Sequence, residues 1–325
     1  MDFNILLDCV GRRVPLVRHF RDTLTTLGVQ GKVVATDMSP LAPALYEADC
    51  QYKVPSMGEP SYLSRLYEIC QEESVKLVVP LVDPQLPVLA EHRQQFVEIG
   101  TVVLVSSPAV IRVAADKRLT HGFFVEHGFA AAQILDCEHD TLKFPVMVKP
   151  ANGSASIGIA QVHDQAELDF FIQRLPDAVI QEYLEGDEYT LDILIDFSAT
   201  VRCVVPRRRI ETRAGEVSKG ATAKNYHIID VGRKVGKALA RIGAVGPLNI
   251  QGFLTPDGIF KLTEINPRFG GGFPLSLAAE ADFPRWIIEM LLGRNPTIGL
   301  DLWKDGVVML RYEEAIFTTS EHVLQ

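Results

Sequence analysis

The sequence predicts an α/β protein that begins with a doubly wound parallel sheet and continues into an α+β region. Apolar strand-like segments alternate with amphipathic helical segments over residues 1–106, a pattern typical of parallel βαβ units. Later in the chain, two strand-like segments are separated by the turn sequence Pro256-Asp257-Gly258, which predicts an antiparallel hairpin. With 325 residues, the chain is long enough for two or three domains.

The alternation in the first region comes from short apolar runs separated by helical periodicity. Gly28 follows one helical pattern and is expected to end it, as glycine commonly does at a helix C-terminus. The predicted strands are Asn4–Cys9, Lys32–Asp37, Leu77–Pro80 and Val102–Val105, and the predicted helices are Arg13–Leu27, 44–48, Tyr62–Glu73 and Leu86–Glu98.

The turn after the first strand contains a single glycine, Gly11, where a dinucleotide-binding fold has G-x-G-x-x-G. A nucleotide site is therefore not expected there, but the strand ends could hold part of a substrate pocket. Asp83, just after the third predicted strand, is a candidate for that pocket. A helix N-cap is an equally good interpretation of Asp83.

The second region is predicted from a mixture of helical and strand-like patterns. One predicted helix begins at Ser107. Four further helices are predicted over Leu119–His127, Asp164–Leu175, Asn225–Ile242 and Phe283–Leu292. The predicted extended segments are Gln133–Leu135, Phe144–Lys149, two strands on either side of Gly186, Thr200–Val205 and a final strand Val307–Arg311.

A loop of small residues, 150–158, lies between two of these strands. Its backbone N–H groups could approach phosphates closely, and Lys149 ends the preceding apolar strand with a positive charge. The loop is not a Walker A loop, because no Gly-Lys-Ser/Thr follows it. A plain hairpin connection, with Lys149 in water at a strand end, is the alternative.

The segment from Gln181 to Glu188 predicts a strand, a break at Gly186 and a second strand. Tyr183 and Leu184 could pack against a flat base, and Glu188 could accept hydrogen bonds from ribose hydroxyls. A β-bulge with solvated acidic residues explains the same pattern.

Residues 207–219 contain the one dense basic cluster, with four arginines and a lysine, in a chain whose net charge is −9. We expect a loop in which Arg207, Arg208 and Arg209 meet phosphates or a carboxylate substrate. A solvated ribbon is the alternative.

The predicted hairpin carries polar residues that suit a metal site. Glu264, Asn266 and Arg268 are spaced i, i+2 and i+4, which places them on one face of a strand, and Gln251 on the partner strand could reach the same metal. Carboxylate and amide oxygens suit Mg²⁺, and Arg268 could hold a phosphoryl or carboxylate oxygen. An ordinary hairpin with polar residues facing water is the alternative.

Composition argues against several other classes of protein. The negative net charge argues against nucleic-acid binding, and no apolar run approaches the ~20 residues that span a membrane. The first residues lack the basic segment of a signal peptide. The five cysteines are scattered and the histidines lack metal-ligand spacing, so we expect a reduced cytoplasmic setting and no zinc site.

Taken in order, these motifs resemble the ATP-grasp superfamily, and most closely the ATP-binding modules of the carbamoyl-phosphate synthase large chain and related stand-alone carboxylate–amine ligases. The resemblance covers residues 1–300 and rests on the lysines, the small-residue loop, the segment Gln-Glu-Tyr-Leu-Glu-Gly-x-Glu and the metal hairpin. It implies a pre-ATP-grasp domain over 1–106, a two-lobed ATP-grasp domain over 107–300 with a lid at about 130–180, and a C-terminal strand and tail over 301–325.

The resemblance implies a role for each motif residue. The metal ligands would be Gln251, Glu264 and Asn266 for two Mg²⁺ ions, which Mn²⁺ could replace, and Arg268 would be catalytic, stabilising an acyl phosphate. The nucleotide contacts would be Lys117, Lys149, Gly153, Ser154 and Ser156 at the phosphates, Glu182, Tyr183 and Leu184 at the adenine, Glu188 at the ribose, and Arg207 and Arg209 at phosphate or substrate.

The function implied is ATP-dependent ligation of a small-molecule carboxylate to an amine, with ADP as a product and a homodimer as the assembly. Two alternatives remain open. One is a single-module relative of carbamoyl-phosphate synthase that phosphorylates bicarbonate or carbamate, and the other is an ATP-binding module without catalysis.

Overall fold

Short runs of buried apolar residues form the N-terminal sheet of this computed structural model, which describes residues 2–136, 142–153, 158–213 and 215–323. The sheet has five parallel strands in the order β3-β2-β1-β4-β5, so the predicted doubly wound arrangement is confirmed. Its strands are β1 (Asn4–Asp8), β2 (Val33–Asp37), β3 (Cys50–Lys53), β4 (Val75–Pro80) and β5 (Val102–Val103). Its helices are α1 (Val14–Thr26), α2 (Ser61–Glu72) and α3 (Leu86–Glu98), with short 3-10 turns at Pro43–Glu47 and Asp83–Gln85.

Two helices lead from this sheet into a small antiparallel sheet with its own apolar core. Val146, Val148, Val162 and Leu168 form that core. The helices are α4 (Pro108–Ala115) and α5 (Lys117–Glu126); the sheet, ordered β7-β6-β8, contains β6 (Val146–Pro150), β7 (Ala160–Val162) and β8 (Ala178–Glu182), and α6 (Gln165–Arg174) packs on it.

The largest sheet has six antiparallel strands in the order β13-β12-β9-β10-β11-β14. Its strands are β9 (Asp187–Ile195), β10 (Val201–Arg213), β11 (Glu216–Thr222), β12 (Gly246–Leu254), β13 (Phe260–Asn266) and β14 (Val308–Leu310). The accompanying helices are α7 (Tyr226–Arg241), α8 (Pro274–Ala278) and α9 (Phe283–Leu291). Within the described ranges, none of the helices has the length and apolar character needed to cross a bilayer.

The sequence prediction was wrong about the basic cluster, which forms a strand pair and not a loop. β10 continues through the arginines to Arg213 and pairs with β11. The alternation of a strand separates the arginines, since Arg207 is buried while Arg208 is exposed on the other face. Charge density alone suggested a loop, but acidic residues of the neighbouring strand β9 pair with the arginines of β10. Strand β3 and helix α8 were also missed.

A row of aromatic side chains connects the N-terminal sheet to the segment that follows the metal hairpin. Phe20 of α1 meets the ring of Phe269 edge to face, with 6.1 Å between ring centroids, and Phe269 lies 4.8 Å from Phe273. All three rings are almost completely buried. The position of Arg268, which precedes Phe269, is therefore tied to the N-terminal sheet.

We expect Phe269→Ala to lower the free energy of unfolding by about 3–5 kcal/mol, because it removes a fully buried aromatic ring and leaves a cavity. Urea unfolding followed by circular dichroism measures this loss. The control is Phe317→Ala, which truncates a ring that is 93% exposed and should change stability by less than about 0.5 kcal/mol. Equal effects of the two changes would contradict the packing argument.

Candidate active site

The predicted hairpin is formed by β12 and β13, and its register brings the proposed metal ligands together. Gln251 lies opposite Glu264, and Asn249 lies opposite Asn266. The register shifts next to Gln251, where the pairing is irregular. Because directly opposite residues of an antiparallel pair have adjacent side chains, Gln251 and Glu264 are neighbours.

Arg268 lies just beyond the end of β13, where hydrogen bonds and not strand geometry fix its side chain. Its Nε and Nη2 donate to Asp83 Oδ2, at 3.1 and 2.6 Å, and Nη2 also reaches Asn266 Oδ1 at 3.2 Å. Asp83 thus forms an ion pair with Arg268. This contact agrees better with the interpretation of Asp83 as a pocket residue than with its interpretation as a helix N-cap. The guanidinium and the amide of Asn266 therefore share one location.

Lys149 is half-buried near the end of β6, where its Nζ donates to Gln181 Oε1 at 2.8 Å. Burial lowers the pKa of Lys149, the neighbouring charge of Glu264 partly opposes this shift, and Lys117 adds to it. Lys117 Nζ donates to the carbonyl of Gly153 at 3.2 Å. The two lysines and the start of the small-residue loop therefore lie together near Glu264.

Glu188 and Arg209 form an ion pair that also contacts the metal hairpin. Arg209 Nη1 lies 2.7 Å from Glu188 Oε1 and 3.3 Å from Gln251 Oε1. Burial raises the pKa of Glu188, and the charges of Arg209 and Lys149 oppose this effect. Arg209 Nε is buried and has no hydrogen-bond partner within the described residues.

Arg207 is almost fully buried beneath the same site and is held by Asp192. Its Nε and Nη2 donate to the two carboxylate oxygens of Asp192 at 2.6 and 2.9 Å, and Ser276 donates to the same carboxylate. Gly272 permits this close packing, since a Cβ there would lie 2.3 Å from Arg207 Nη1. Two Arg207 donors are thus engaged by the protein, and a nucleotide contact by this residue stays a prediction.

The residues predicted to bind adenine lie around a different cavity, of about 330 Å³. Both carboxylate oxygens of Glu182 accept hydrogen bonds from Lys261 Nζ, at 2.8 and 2.9 Å. Tyr183 is partly exposed and Leu184 is buried. Gly186 has φ +135°, and a Cβ there would lie 2.2 Å from the carbonyl oxygen of Leu254, so the break requires glycine. Ser154 and Ser156 lie outside the described residues.

Two adjoining cavities meet at Glu264 and Asn266. The first, of about 280 Å³, is polar, and the charged residues that line it are Arg13, Asp83, Arg207, Arg209, Glu216, Glu264 and Arg268. The second, of about 270 Å³, is lined mainly by small and apolar side chains together with Asn152 and Gly153. Asp83, Glu264 and Asn266 line both cavities, so the metal hairpin lies between them.

The donor set at this boundary fits Mg²⁺. Within the described residues, the carboxylate of Glu264 forms no hydrogen bond or ion pair, and no group of three or more His, Cys, Asp or Glu side chains could hold a metal alone. Mg²⁺ is commonly bound by one or two carboxylates, with phosphate and water oxygens completing its shell. One carboxylate with the amides of Gln251 and Asn266 matches that pattern when a polyphosphate is present.

The sequence analysis missed two charged residues of the site, Arg13 and Glu216. Asp83 was left open between two interpretations, and neither Arg13 nor Glu216 was a candidate. Arg13 follows β1, and ligands of open parallel sheets bind beyond the carboxyl ends of the strands, so its position offered a usable indication. Glu216 is the first residue of β11, a strand that the sequence analysis did not predict.

Two protein-family models match the chain in succession. The model of the PylC-like N-terminal domain matches residues 5–104, and the model described as ATP-grasp in the biosynthetic pathway with Ter operon matches residues 174–314. Each model covers less than half of the chain, and residues 105–173 lie outside both matches.

Among curated proteins, the D-alanine–D-alanine ligase of Streptococcus thermophilus is 25% identical over 236 residues, covering 65% of this chain and 64% of that protein. The carbamoyl phosphate synthase large chain of Clostridium beijerinckii is 24% identical over 186 residues, covering 52% of this chain and 17% of that protein. The chain therefore spans less than two thirds of the length of these relatives.

Among solved structures, the biotin carboxylase domain of Hydrogenobacter thermophilus 2-oxoglutarate carboxylase, a dimer with MgADP, ADP and bicarbonate, superposes with a TM-score of 0.74 at 18% identity. The match covers 95% of this chain and 74% of that one. The L-amino acid ligase of Bacillus licheniformis gives a TM-score of 0.69 at 16% identity, covering 90% and 74%. The chain has the fold of these proteins, and the predicted resemblance to the ATP-grasp superfamily and to its carbamoyl-phosphate synthase type is confirmed.

We expect Arg207→Met to lower the free energy of unfolding by about 3–5 kcal/mol, because it leaves the buried carboxylate of Asp192 without its partner. Urea unfolding measures the loss. The matched control is Arg208→Met, which removes the neighbouring arginine from the exposed face, where its pair with Asp187 spans 3.6 Å and should contribute less than about 1 kcal/mol. A stable Arg207→Met protein would contradict the structural role of this pair.

Proposed function

We propose that this chain is an ATP- and Mg²⁺-dependent ligase that joins a small carboxylate to an amine through an acyl phosphate. The observation that carries the proposal is the pairing of Gln251 with Glu264 beside the half-buried Lys149. This arrangement offers oxygen donors for Mg²⁺ and a cation for a phosphate at the boundary of two cavities.

The nucleotide would bind with its phosphates between the lysines and the metal hairpin. Lys117 and Lys149 would contact phosphate oxygens, and the backbone of the loop that starts at Gly153 would approach them, with Ser154 and Ser156 following. Glu188 would accept hydrogen bonds from the ribose. Glu182, Tyr183 and Leu184 would hold the adenine, and closure of a lid over residues 130–180 would bring the base and phosphate sites together and exclude water.

The reaction requires two displacements. A carboxylate oxygen of the acid attacks the γ-phosphorus of ATP, the bond to ADP breaks, and an acyl phosphate forms. The amine nitrogen then attacks the acyl carbon, phosphate leaves and the nitrogen loses a proton. Bound to Gln251, Glu264 and Asn266, two Mg²⁺ ions would neutralise charge on the transferred phosphoryl group.

Arg268 would stabilise the negative oxygen that develops at the acyl carbon. Its guanidinium is fixed by Asp83 and Asn266 before any ligand binds, so little reorganisation is needed when charge develops. The hydrogen bond between Arg209 and Gln251 supports a similar fixed position for a second cation near the phosphates.

A second candidate function is phosphorylation of bicarbonate or carbamate. The polar cavity has a volume of only about 280 Å³ and is lined by four arginines, which suits a small anion. The similarity to a carbamoyl phosphate synthase large chain agrees with this alternative.

We expect Mg²⁺-dependent release of ADP from ATP only when both an acid and an amine are supplied. A coupled assay across a panel of carboxylic acids, with and without amines and with bicarbonate alone, measures this dependence. Release with bicarbonate alone would support the second candidate. ATP binding detected as thermal stabilisation, with no release across the panel, would favour a module without catalysis.

Glu264→Gln should lower turnover by ~10²-fold or more, since it removes the only carboxylate among the proposed metal ligands. The rate of ADP release measures the effect. The matched control is Glu211→Gln on the exposed part of β10, which should retain the rate. Near-normal ATP consumption by Glu264→Gln would overturn the metal assignment.

A further inference from the structure

The arginines that line the polar cavity differ in how well they are paired. Arg268 is held by Asp83, Arg209 by Glu188 and Arg207 by Asp192, each at 2.7 Å or less. Each of these arginines therefore has a carboxylate partner of its own.

Arg13 is the exception. Its Nη2 lies 3.8 Å from Glu216 Oε1, and the other oxygen of that carboxylate accepts a hydrogen bond from Arg311 Nη1 at 3.0 Å. One carboxylate is thus shared between two arginines. Arg13 Nη1 is buried in the cavity lining and has no hydrogen-bond partner within the described residues.

The backbone holds Arg13 firmly in this position. Its N–H donates to the carbonyl of Val10 at 2.8 Å, and its own carbonyl accepts from Leu16 at the start of α1. Gly271 allows the guanidinium to approach, since a Cβ there would lie 2.6 Å from Arg13 Nη1 and 2.8 Å from Glu216 Oε1. These contacts fix the backbone of Arg13 at the cavity, and Gly271 leaves room for its guanidinium.

The charges around Arg13 favour an added anion. Burial lowers the pKa of Arg13 to about 10; Glu216 opposes this shift, whereas Arg268 and Arg311 add to it. An anionic group at the exposed part of the guanidinium, whose side chain is 20% accessible, would reduce the repulsion among the three arginines.

We propose that Arg13 binds a second anionic group of the acid substrate, a carboxylate or a phosphate, which does not itself react. The reacting carboxylate would lie at Arg268 and Glu264, and the second group would lie against Arg13 in the same cavity. The substrate class is therefore a small acid with two anionic groups. This inference rests on the proposed function for the identity of the reacting end.

Isothermal titration calorimetry on the full chain, without nucleotide, tests the inference with matched pairs of acids. Succinate and succinamate, glutarate and glutaramate, aspartate and asparagine, and glutamate and glutamine each differ by one carboxylate; 3-phosphoglycerate and glycerate differ by a phosphate. In at least one pair, we expect the acid with two anionic groups to bind at least tenfold more tightly than the acid with one. The pair that discriminates identifies the second group as carboxylate or phosphate.

Arg13→Met should weaken binding of that acid with two anionic groups by roughly 10- to 100-fold, as expected for loss of a charged hydrogen bond. The affinity for the paired acid with one anionic group should stay unchanged. Arg13→Lys, which keeps the charge but not the fork, should fall between. The matched control is Arg12→Met, which removes the same charge from the exposed neighbouring position and should have little effect. Thermal unfolding of each variant verifies that it is folded.

The inference is overturned if no pair discriminates, if Arg13→Met weakens both members equally, or if Arg12→Met acts as strongly. Binding that depends on Arg13 without any ADP release would refute the proposed ligase activity and leave the anion site standing. ADP release that occurs only with singly charged acids would refute the anion site and leave the ligase activity standing.

Discussion

The buried ion pair between Arg207 and Asp192 is the interaction on which the site depends most. It joins adjacent strands β9 and β10 below the cavity, and Ser276 of α8 adds a third attachment. Gly272 packs directly on the guanidinium. The segment that follows Arg268 is therefore fixed against the six-stranded sheet. The positions of Arg268 and Gly271 thus depend on the Arg207–Asp192 pair, which is buried.

Local patterns explain why much of this arrangement could be predicted from sequence. The parallel sheet and the hairpin follow from periodicity and turn residues, which act over a few positions, and the pairing of Gln251 with Glu264 follows from the same hairpin. Long-range partners were not accessible in this way. The contacts of Arg268 with Asp83 and of Glu182 with Lys261 join residues far apart in the chain, and no pattern within a segment indicates them.

The two cavities divide the chemistry between the parts of the chain. Lys149 and Lys117 lie near the metal hairpin from one direction, whereas Arg13 and Asp83 reach it from the N-terminal sheet. Glu264 and Asn266, which line both cavities, are where these contributions meet. Such a division would suit the proposed reaction, in which the phosphoryl donor and its acceptor would reach the proposed metal ligands from different sides.

Helix α1 carries two of the features described above within eight residues, since Arg13 precedes it and Phe20 lies on it. The aromatic contact with Phe269 fixes the helix, and the helix in turn fixes the arginine at the cavity. Recombination of an N-terminal region between related chains would therefore transfer the proposed anion contact and the packing against Phe269 together. A transferred N-terminal region with an arginine at position 13 but no aromatic ring at position 20 would keep the positive charge. It would lose the contact with Phe269 that positions helix α1 and the arginine.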